Sequence, residues 1–431
     1  MVTDRLQRIL GLGFGLAVIV GSTLGIGILR TPGLVAGQLG TVSAVLIVWV
    51  AGGLYTLLGS VCLTELGTML PQAGGYYVYA RRAFGDHAGF AVGWTDWLTY
   101  CAVLGYISIG LAEFVGVLAP RAAGMVTPIA VFTLVGLVAL QWGGVRLSSR
   151  FQEITTAIKF AAFLFLVVAC LVIGGHPAEA SAGPVPAATF SAIIIALQSV
   201  VITYGGWQSA LYFTEEDVDP ARNLPRAMIG GVAAVIVVYL LVNVALLRVL
   251  PIPVLARATL PAADAAQIVA GVRGRVIITI LSVISLPPLL NAIMMIGPRI
   301  MFAMARDGFL PRFGARVNAR GTPTVAMVAT TTVAVGLIAT GTFQKLVAVA
   351  SFFLAVNYFV CCLALVVLRR REPRAARPFR AWGYPWSAII VLVGAAGFLL
   401  GALAADTVNA SIALALAAAG LAGRMVLGRQ S

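Results

Sequence analysis

Twelve long apolar runs, separated by short polar gaps, cover most of this 431-residue sequence. A helix that crosses a bilayer needs about 20 predominantly apolar residues, and the runs approach or exceed that length. The strands of a membrane barrel alternate over only about 10 residues, so a barrel is excluded. The sequence predicts an all-α integral membrane protein with spans at 11–36, 40–66, 88–118, 125–142, 151–174, 190–213, 226–250, 274–305, 323–341, 344–368, 386–405 and 408–427.

Composition and charge support a single membrane domain over residues 1–431. Charged residues make up 10% of the chain, against about 25% in soluble domains. With the N-terminus inside, twenty of the 29 Lys and Arg residues fall in cytoplasmic loops and five in outer loops. This bias predicts a membrane protein with both termini in the cytoplasm, and it explains the net charge of +14 without nucleic-acid binding.

The titratable residues form no catalytic or metal-binding pattern. All five cysteines lie inside apolar runs, and the two histidines, His87 and His176, lie near loop ends. Neither an HExxH sequence nor a nucleotide-binding GxxxxGK[ST] sequence occurs. We therefore expect neither an enzyme nor a primary pump, and we expect no metal or cofactor.

Spans 1 and 6 carry glycines at their centres. Span 1 reads VIVGSTLGIGILRTPG, with Gly21, Gly25 and Gly27, and span 6 reads VITYGGWQSALYF, with Gly205 and Gly206. Glycine weakens a helix, so the backbone can open there, although small residues also allow close helix packing. Interrupted helices in corresponding positions of two halves are typical of inverted-repeat transporters, and spans 1 and 6 are five apart.

The repeats would cover about 11–174 and 190–368, followed by two further spans within 386–427. Freed N–H groups after the break in span 1 suit a carboxylate, and freed carbonyls before the break in span 6 suit an ammonium. The two breaks therefore predict a site for a free α-amino acid.

Five motifs occur in an order that identifies a resemblance. They are ELGTMLPQAGGYYVYARRAFG (65–85), GWTDWL (93–98), YGGWQSALYFTEEDVDPARNLPRA (204–227), ARDGFLP (305–311) and RPFRAWGYP (377–385). The chain resembles the amino acid–polyamine–organocation (APC) superfamily, and specifically its prokaryotic L-type amino acid transporter-like permeases. The resemblance implies a five-helix inverted repeat plus two helices, discontinuous helices 1 and 6, and alternating access around a central site.

The resemblance also implies which residues form that site. The carboxylate would meet the backbone of span 1, and the ammonium would meet carbonyls of span 6. Tyr204 joins these contacts because it flanks the break. The expected substrate contacts are Ser22, Thr23, Gly25, Ile26, Gly27, Ile202, Thr203, Tyr204 and Gly205.

Lys159 lies about 12 Å into span 5, at 1.5 Å per residue. A lysine there either snorkels to the cytoplasmic edge or stays buried for a functional reason. Sodium-independent members of the family have a lysine at this point, so the resemblance implies that its ammonium replaces Na⁺ beside the carbonyls of helix 1. We expect sodium-independent transport, coupled to protons or by exchange.

Three further residues are candidates for gating. Trp207 flanks the break in span 6, Arg30 follows the break in span 1, and Asn291 falls at the family's asparagine in helix 8. Arg30 either snorkels outward or lines the outer vestibule, and Asn291 is alternatively a polar contact between helices. Glu65, Asp96 and the Glu215–Glu216 pair are expected to tie cytoplasmic loops to nearby arginines.

The central parts of spans 1 and 6 contain no acidic residue. This favours secondary active transport of a neutral L-amino acid over the alternative, a polyamine or cationic amino acid antiporter. A channel is a further alternative, which would need a pore lined by rings of carbonyls or charges. Eukaryotic relatives join a helper subunit through an outer-loop cysteine, and residues 119–125 contain none, so no obligatory helper is expected.

Overall fold

The computed structural model describes residues 5–25, 27–174, 189–258, 260–340, 343–405 and 407–427. In these ranges the chain is helical, and the only strand-like pairing is an isolated bridge between Leu10 and Asp217. The α-helices are α1 (Leu12–Thr23), α2 (Gly27–Leu39), α3 (Val42–Met69), α4 (Tyr76–Phe84), α5 (Asp86–Leu118), α6 (Val126–Trp142), α7 (Val145–Ile173), α8 (Phe190–Thr203), α9 (Pro220–Val249), α10 (Ile252–Arg257), α11 (Pro261–Ala270), α12 (Val272–Arg306), α13 (Thr324–Thr340), α14 (Phe343–Arg371), α15 (Trp386–Ala405) and α16 (Thr407–Leu427).

Each predicted span is occupied by helix. In the described ranges, seven helical segments are long and apolar enough to cross a membrane, one of which, Phe190–Phe213, joins α8 to the 3₁₀ helix that follows it. Counted as one span, the bent pair α1 and α2 is an eighth. Spans 4, 9, 11 and 12 correspond to the shorter apolar helices α6, α13, α15 and α16. The prediction of an all-α multi-span membrane protein is therefore confirmed. The largest boundary differences are at α7, which begins at Val145, and α9, which begins at Pro220.

The two halves of span 1 pack mainly against different neighbours. Helix α1 contacts α7, α9 and α12, whereas α2 contacts α8, the first half of span 6, and the short helix α10. The second half of span 6 is a 3₁₀ helix, Trp207–Phe213, which also packs against α1. The breaks in spans 1 and 6 thus lie side by side between the long helices.

Ion pairs join the predicted cytoplasmic ends of the helices. Arg299 forms a buried bidentate ion pair with Glu216, in which two guanidinium nitrogens lie 2.9 and 3.1 Å from the two carboxylate oxygens. Glu215 pairs with Arg306 at 2.7 Å. Glu65 pairs with two arginines, Arg369 and Arg377. The expected arginine partners of Glu65, Glu215 and Glu216 are therefore confirmed.

The expectation that an arginine pairs with Asp96 is wrong. Asp96 is fully buried in α5, and its carboxylate accepts a hydrogen bond from the Tyr212 hydroxyl at 2.8 Å. Its position about 15 Å along α5 from Asp86 places it too deep for the loop arginines. The sequence pattern WTDWL could not reveal this, because the partner of a buried polar group is chosen by packing.

Candidate functional site

The helix of span 1 is open at its centre. Helix α1 ends at Thr23, α2 begins at Gly27, and their axes differ in direction by 47°. Leu24 has extended backbone angles, so the chain leaves the helix immediately after Thr23. Ile26, an expected substrate contact, lies outside the described residues. The first N–H groups of α2 have no acceptor within their own helix, which is the property that the carboxylate prediction requires.

Span 6 opens at Gly206. Helix α8 ends at Thr203, and Gly206 has φ +115°, a backbone conformation that side chains with a Cβ rarely adopt. A Cβ added to Gly206 would also lie 2.5 Å from the carbonyl oxygen of Ser22. Glycine is therefore required twice here, once by the turn and once by the close approach of the backbone of span 1.

The two breaks are also in contact beyond Gly206. A Cβ added to Gly27 would lie 3.1 Å from a methyl carbon of Thr203. The hydroxyl groups of Thr31 and Thr203 are 2.7 Å apart, so they form a hydrogen bond between α2 and α8. Three of the expected substrate contacts, Ser22, Gly27 and Thr203, thus belong to one assembly, in which each broken helix fixes the position of the other.

Tyr239 of α9 joins the two breaks. Its hydroxyl is 2.6 Å from the carbonyl oxygen of Thr23 and 3.0 Å from that of Thr203, so one O–H is shared between the last residues of α1 and α8. Its ring is fully buried, with centroids 5.6 Å from Trp49 and 4.9 Å from Tyr204. Tyr239 is not among the residues that the sequence predicts for the site, although a tyrosine hydroxyl within the apolar stretch VIVVYLLVN requires a polar partner.

Tyr204, an expected substrate contact, packs away from the break. It is fully buried in the aromatic cluster, and its hydroxyl donates to the carbonyl of Trp49 at 3.3 Å. Its side chain therefore secures α8 against α3.

The hydroxyl groups of Ser22 and Thr23 are satisfied within α1. The Thr23 hydroxyl donates to the carbonyl of Ile19 at 2.8 Å, and the Ser22 hydroxyl donates to that of Val18. In this conformation both residues present their backbone, and not their hydroxyl groups, to the break.

Two of the expected ammonium acceptors already accept hydrogen bonds from the protein. The Ile202 carbonyl accepts from the N–H of Gly205 at 2.9 Å, and the Thr203 carbonyl accepts from Tyr239. A ligand ammonium must therefore share these oxygens or displace their present donors.

A cavity of about 390 Å³ adjoins the break in span 6. Ile202, Gly205 and Trp207 line it, together with residues of α3, α14 and α15, and none of the described lining residues belongs to span 1. The Trp207 ring packs edge-on against Tyr358 at 5.8 Å. Span 6 thus separates this space from the backbone of span 1.

Lys159 is completely buried, and its ammonium donates to the carbonyl of Gly21 at 2.9 Å. Gln152 and Thr156, on the same face of α7, both reach the carbonyl of Ala17, at 3.3 and 3.1 Å. Three polar side chains of α7 therefore hold the carbonyls of α1 just before its break. Lys159 does not snorkel to the surface.

The other two gating candidates lie on different helices, Asn291 on α12 and Arg30 on α2. Asn291 is buried and donates to Gln152 at 2.9 Å and to the carbonyl of Ser148 at 3.2 Å. It is thus a polar contact between α12 and α7. Arg30, on the first turn of α2, has an exposed side chain.

Comparison with known proteins places these features in a family. Residues 15–422 match the family model described as amino acid permease. The chain is 26% identical over 430 residues to the serine/threonine exchanger SteT of Bacillus subtilis, covering 97% of this chain and 96% of that protein. It is 30% identical to the Asc-type amino acid transporter 1 of Mus musculus, over 87% of this chain and 73% of the relative.

A third relative is the large neutral amino acids transporter small subunit 2 of Homo sapiens. It is 29% identical over 388 residues, which cover 87% of this chain and 72% of the relative. With the family model matched over nearly the whole chain, and with the two broken helices in contact at its centre, the protein belongs to the amino acid permease family of the APC superfamily.

Proposed function

We propose that this permease is a sodium-independent secondary transporter of a neutral L-amino acid, which works by alternating access as an exchanger or with protons. The contact between the two breaks carries the proposal, because the Gly206 backbone lies against Ser22 and the Tyr239 hydroxyl bridges both helix ends. The names of the relatives support the substrate class, since they include a serine/threonine exchanger and a large neutral amino acids transporter.

The substrate carboxylate is proposed to bind the N–H groups that follow the break in span 1, where the positive end of α2 begins. The ammonium is proposed to bind carbonyls at the end of α8. The proposed contacts are Ser22, Thr23, Gly25, Ile26, Gly27, Ile202, Thr203, Tyr204 and Gly205. Because Tyr239 donates to the Thr203 carbonyl, the substrate ammonium would share that oxygen with the tyrosine hydroxyl or displace it.

Lys159 is the proposed coupling residue. Its side-chain nitrogen donates to the Gly21 carbonyl, where a bound cation would otherwise stabilise the end of α1. Residues proposed for gating are Trp207, Arg30 and Asn291. Asn291 would act indirectly, through its hydrogen bond to Gln152 on the same face of α7 as Lys159.

A neutral substrate is favoured over a cationic one. The helices α1, α2 and α8 and the 3₁₀ helix after α8 contain no aspartate or glutamate in their described residues. A cationic side chain or a polyamine would lack a carboxylate partner at the breaks. We further propose a bacterial cytoplasmic membrane location with both termini in the cytoplasm, and transport by the chain alone.

The test is transport by the purified chain in liposomes. A thermal-shift screen against all amino acids and common amines would first identify ligands. Labelled hits should then exchange against unlabelled substrate with saturation and without a sodium gradient. Uptake driven by sodium, or exchange confined to polyamines and cationic amino acids, would contradict the proposal. Rates near diffusion without saturation would indicate a channel.

A further inference from the structure

Asp96 is a buried carboxyl group that the proposed substrate site does not use. It lies in α5 with no exposed surface, and one carboxylate oxygen, Oδ2, accepts from the Tyr212 hydroxyl at 2.8 Å. The other oxygen, Oδ1, is buried without a hydrogen-bond partner in the described structure. A half-satisfied carboxyl group at this depth is unusual, because buried polar atoms are nearly always paired.

The titratable groups that face Asp96 are all neutral in their ordinary state. Tyr100 lies one turn further along α5, Tyr212 on the 3₁₀ helix, Tyr76 on α4 and Cys361 on α14. The Tyr212 ring lies 5.3 Å from that of Tyr100 and 5.8 Å from that of Tyr76. In the described part of the chain no arginine or lysine forms an ion pair with Asp96.

This environment disfavours an ionised carboxylate. A charge removed from water needs a cation or several donors to offset the lost hydration, and Asp96 has one neutral donor. A proton on Oδ1 would remove the charge and create an O–H donor. The Tyr100 hydroxyl, one turn away on the same face of α5, is a further neutral group beside Asp96 and supplies no charge to offset a carboxylate.

The partner of Asp96 belongs to the segment that forms the break in span 6. Tyr212 lies on the 3₁₀ helix Trp207–Phe213, which starts directly after Gly206, and Gly206 packs against the backbone of Ser22. A movement that opens span 6 would therefore separate Tyr212 from Asp96 and admit water to the carboxyl group.

We propose that Asp96 is a proton-binding site, protonated while the 3₁₀ half of span 6 is packed as in this structure and deprotonated when that half moves away. The O–H bond at Asp96 breaks, the proton passes to water, and the carboxylate keeps the electron pair. The proposal deepens the proton-coupled form of the proposed function and rests on it. The site binds a proton, and the hydrogen bond from Tyr212 controls whether the proton is held or released.

Infrared difference spectroscopy of the wild-type protein tests the site directly. The carbonyl stretch of a protonated carboxyl group should be present at neutral pH, should disappear in Asp96→Asn, and should shift in Tyr212→Phe, which removes the hydrogen bond. The matched control is Asp86→Asn on the same helix, where the side chain is 57% exposed and paired with Arg81. A wild-type spectrum without the band, or a band unchanged in both Asp96→Asn and Tyr212→Phe, would overturn the proposal.

Transport provides the second readout. In liposomes, Asp96→Asn should retain exchange of labelled against unlabelled substrate but lose the stimulation of uptake by an inward proton gradient. Asp86→Asn should retain both the exchange of substrate and the stimulation of uptake by the proton gradient. Stimulation retained in Asp96→Asn would refute the coupling. If the wild type moves no neutral amino acid, the proposed function fails, whereas the infrared band still decides whether Asp96 binds a proton.

Discussion

The hydroxyl oxygen of Tyr239 lies 2.6 Å from the carbonyl oxygen of Thr23, although 216 positions separate the two residues. The same hydroxyl is 3.0 Å from the carbonyl of Thr203, so one side chain closes both helix ends at the centre of the molecule. The ends of both broken helices therefore meet at a tyrosine that belongs to neither of them.

Tyr239→Phe should lower the thermal stability of the purified protein. The ring packing would remain, while two buried carbonyls would lose their shared donor, at a cost of about 1–3 kcal/mol. The control is Tyr204→Phe, which removes a longer hydrogen bond, 3.3 Å to Trp49, from the same aromatic cluster. Equal unfolding temperatures for the two variants in detergent would argue against a special role for the Tyr239 bridge.

Gly206→Ala should disrupt the contact between the breaks and abolish transport. The substitution combines a left-handed backbone, costing roughly 1–2 kcal/mol, with a methyl group placed 2.5 Å from the Ser22 carbonyl. Gly308→Ala is the matched control, because Gly308 has φ +83° but open space around its Cβ position. Liposome exchange that survives in Gly206→Ala as well as in Gly308→Ala would show that the close approach is dispensable.

Lys159→Met should abolish gradient-driven uptake, because it keeps much of the side-chain length and removes the ammonium that holds the Gly21 carbonyl. Thr156→Val is the control, since it removes a neutral hydrogen bond from α7 to Ala17 on the same face. The initial rate of gradient-driven uptake into liposomes should fall far more in Lys159→Met than in Thr156→Val. Wild-type rates in Lys159→Met, together with stimulation of the wild type by sodium, would remove Lys159 from the mechanism.

Arg299→Met should destabilise the protein much more than Arg306→Met. Arg299 and Glu216 are buried, so removal of the arginine leaves an unpaired charge, which typically costs about 3–5 kcal/mol. Arg306 and Glu215 are partly exposed, and such pairs contribute about 0–1 kcal/mol. Thermal unfolding of both variants checks the difference. A smaller loss for Arg299→Met would mean that water reaches the buried pair.

At the two breaks, the positions of the openings could be predicted from the sequence, whereas the side-chain partners could not. Gly25, Gly27, Gly205 and Gly206 located the openings, because helix weakening is a local property of glycine. The sequence did not reveal that Tyr204 packs against Trp49, that Ile202 faces a cavity away from span 1, or that Asp96 pairs with Tyr212. Each of these depends on which face of a helix turns toward which neighbour.

The sequence by itself determined that the chain is an all-α protein with many apolar spans, and where spans 1 and 6 come apart. These properties follow from hydropathy and from glycine content within a single span, because in lipid each backbone must satisfy its own hydrogen bonds. Only the tertiary structure decided the partners of Lys159, Tyr239 and Asp96. Their hydrogen bonds join different spans, and which spans become neighbours is set by the packing of the whole bundle.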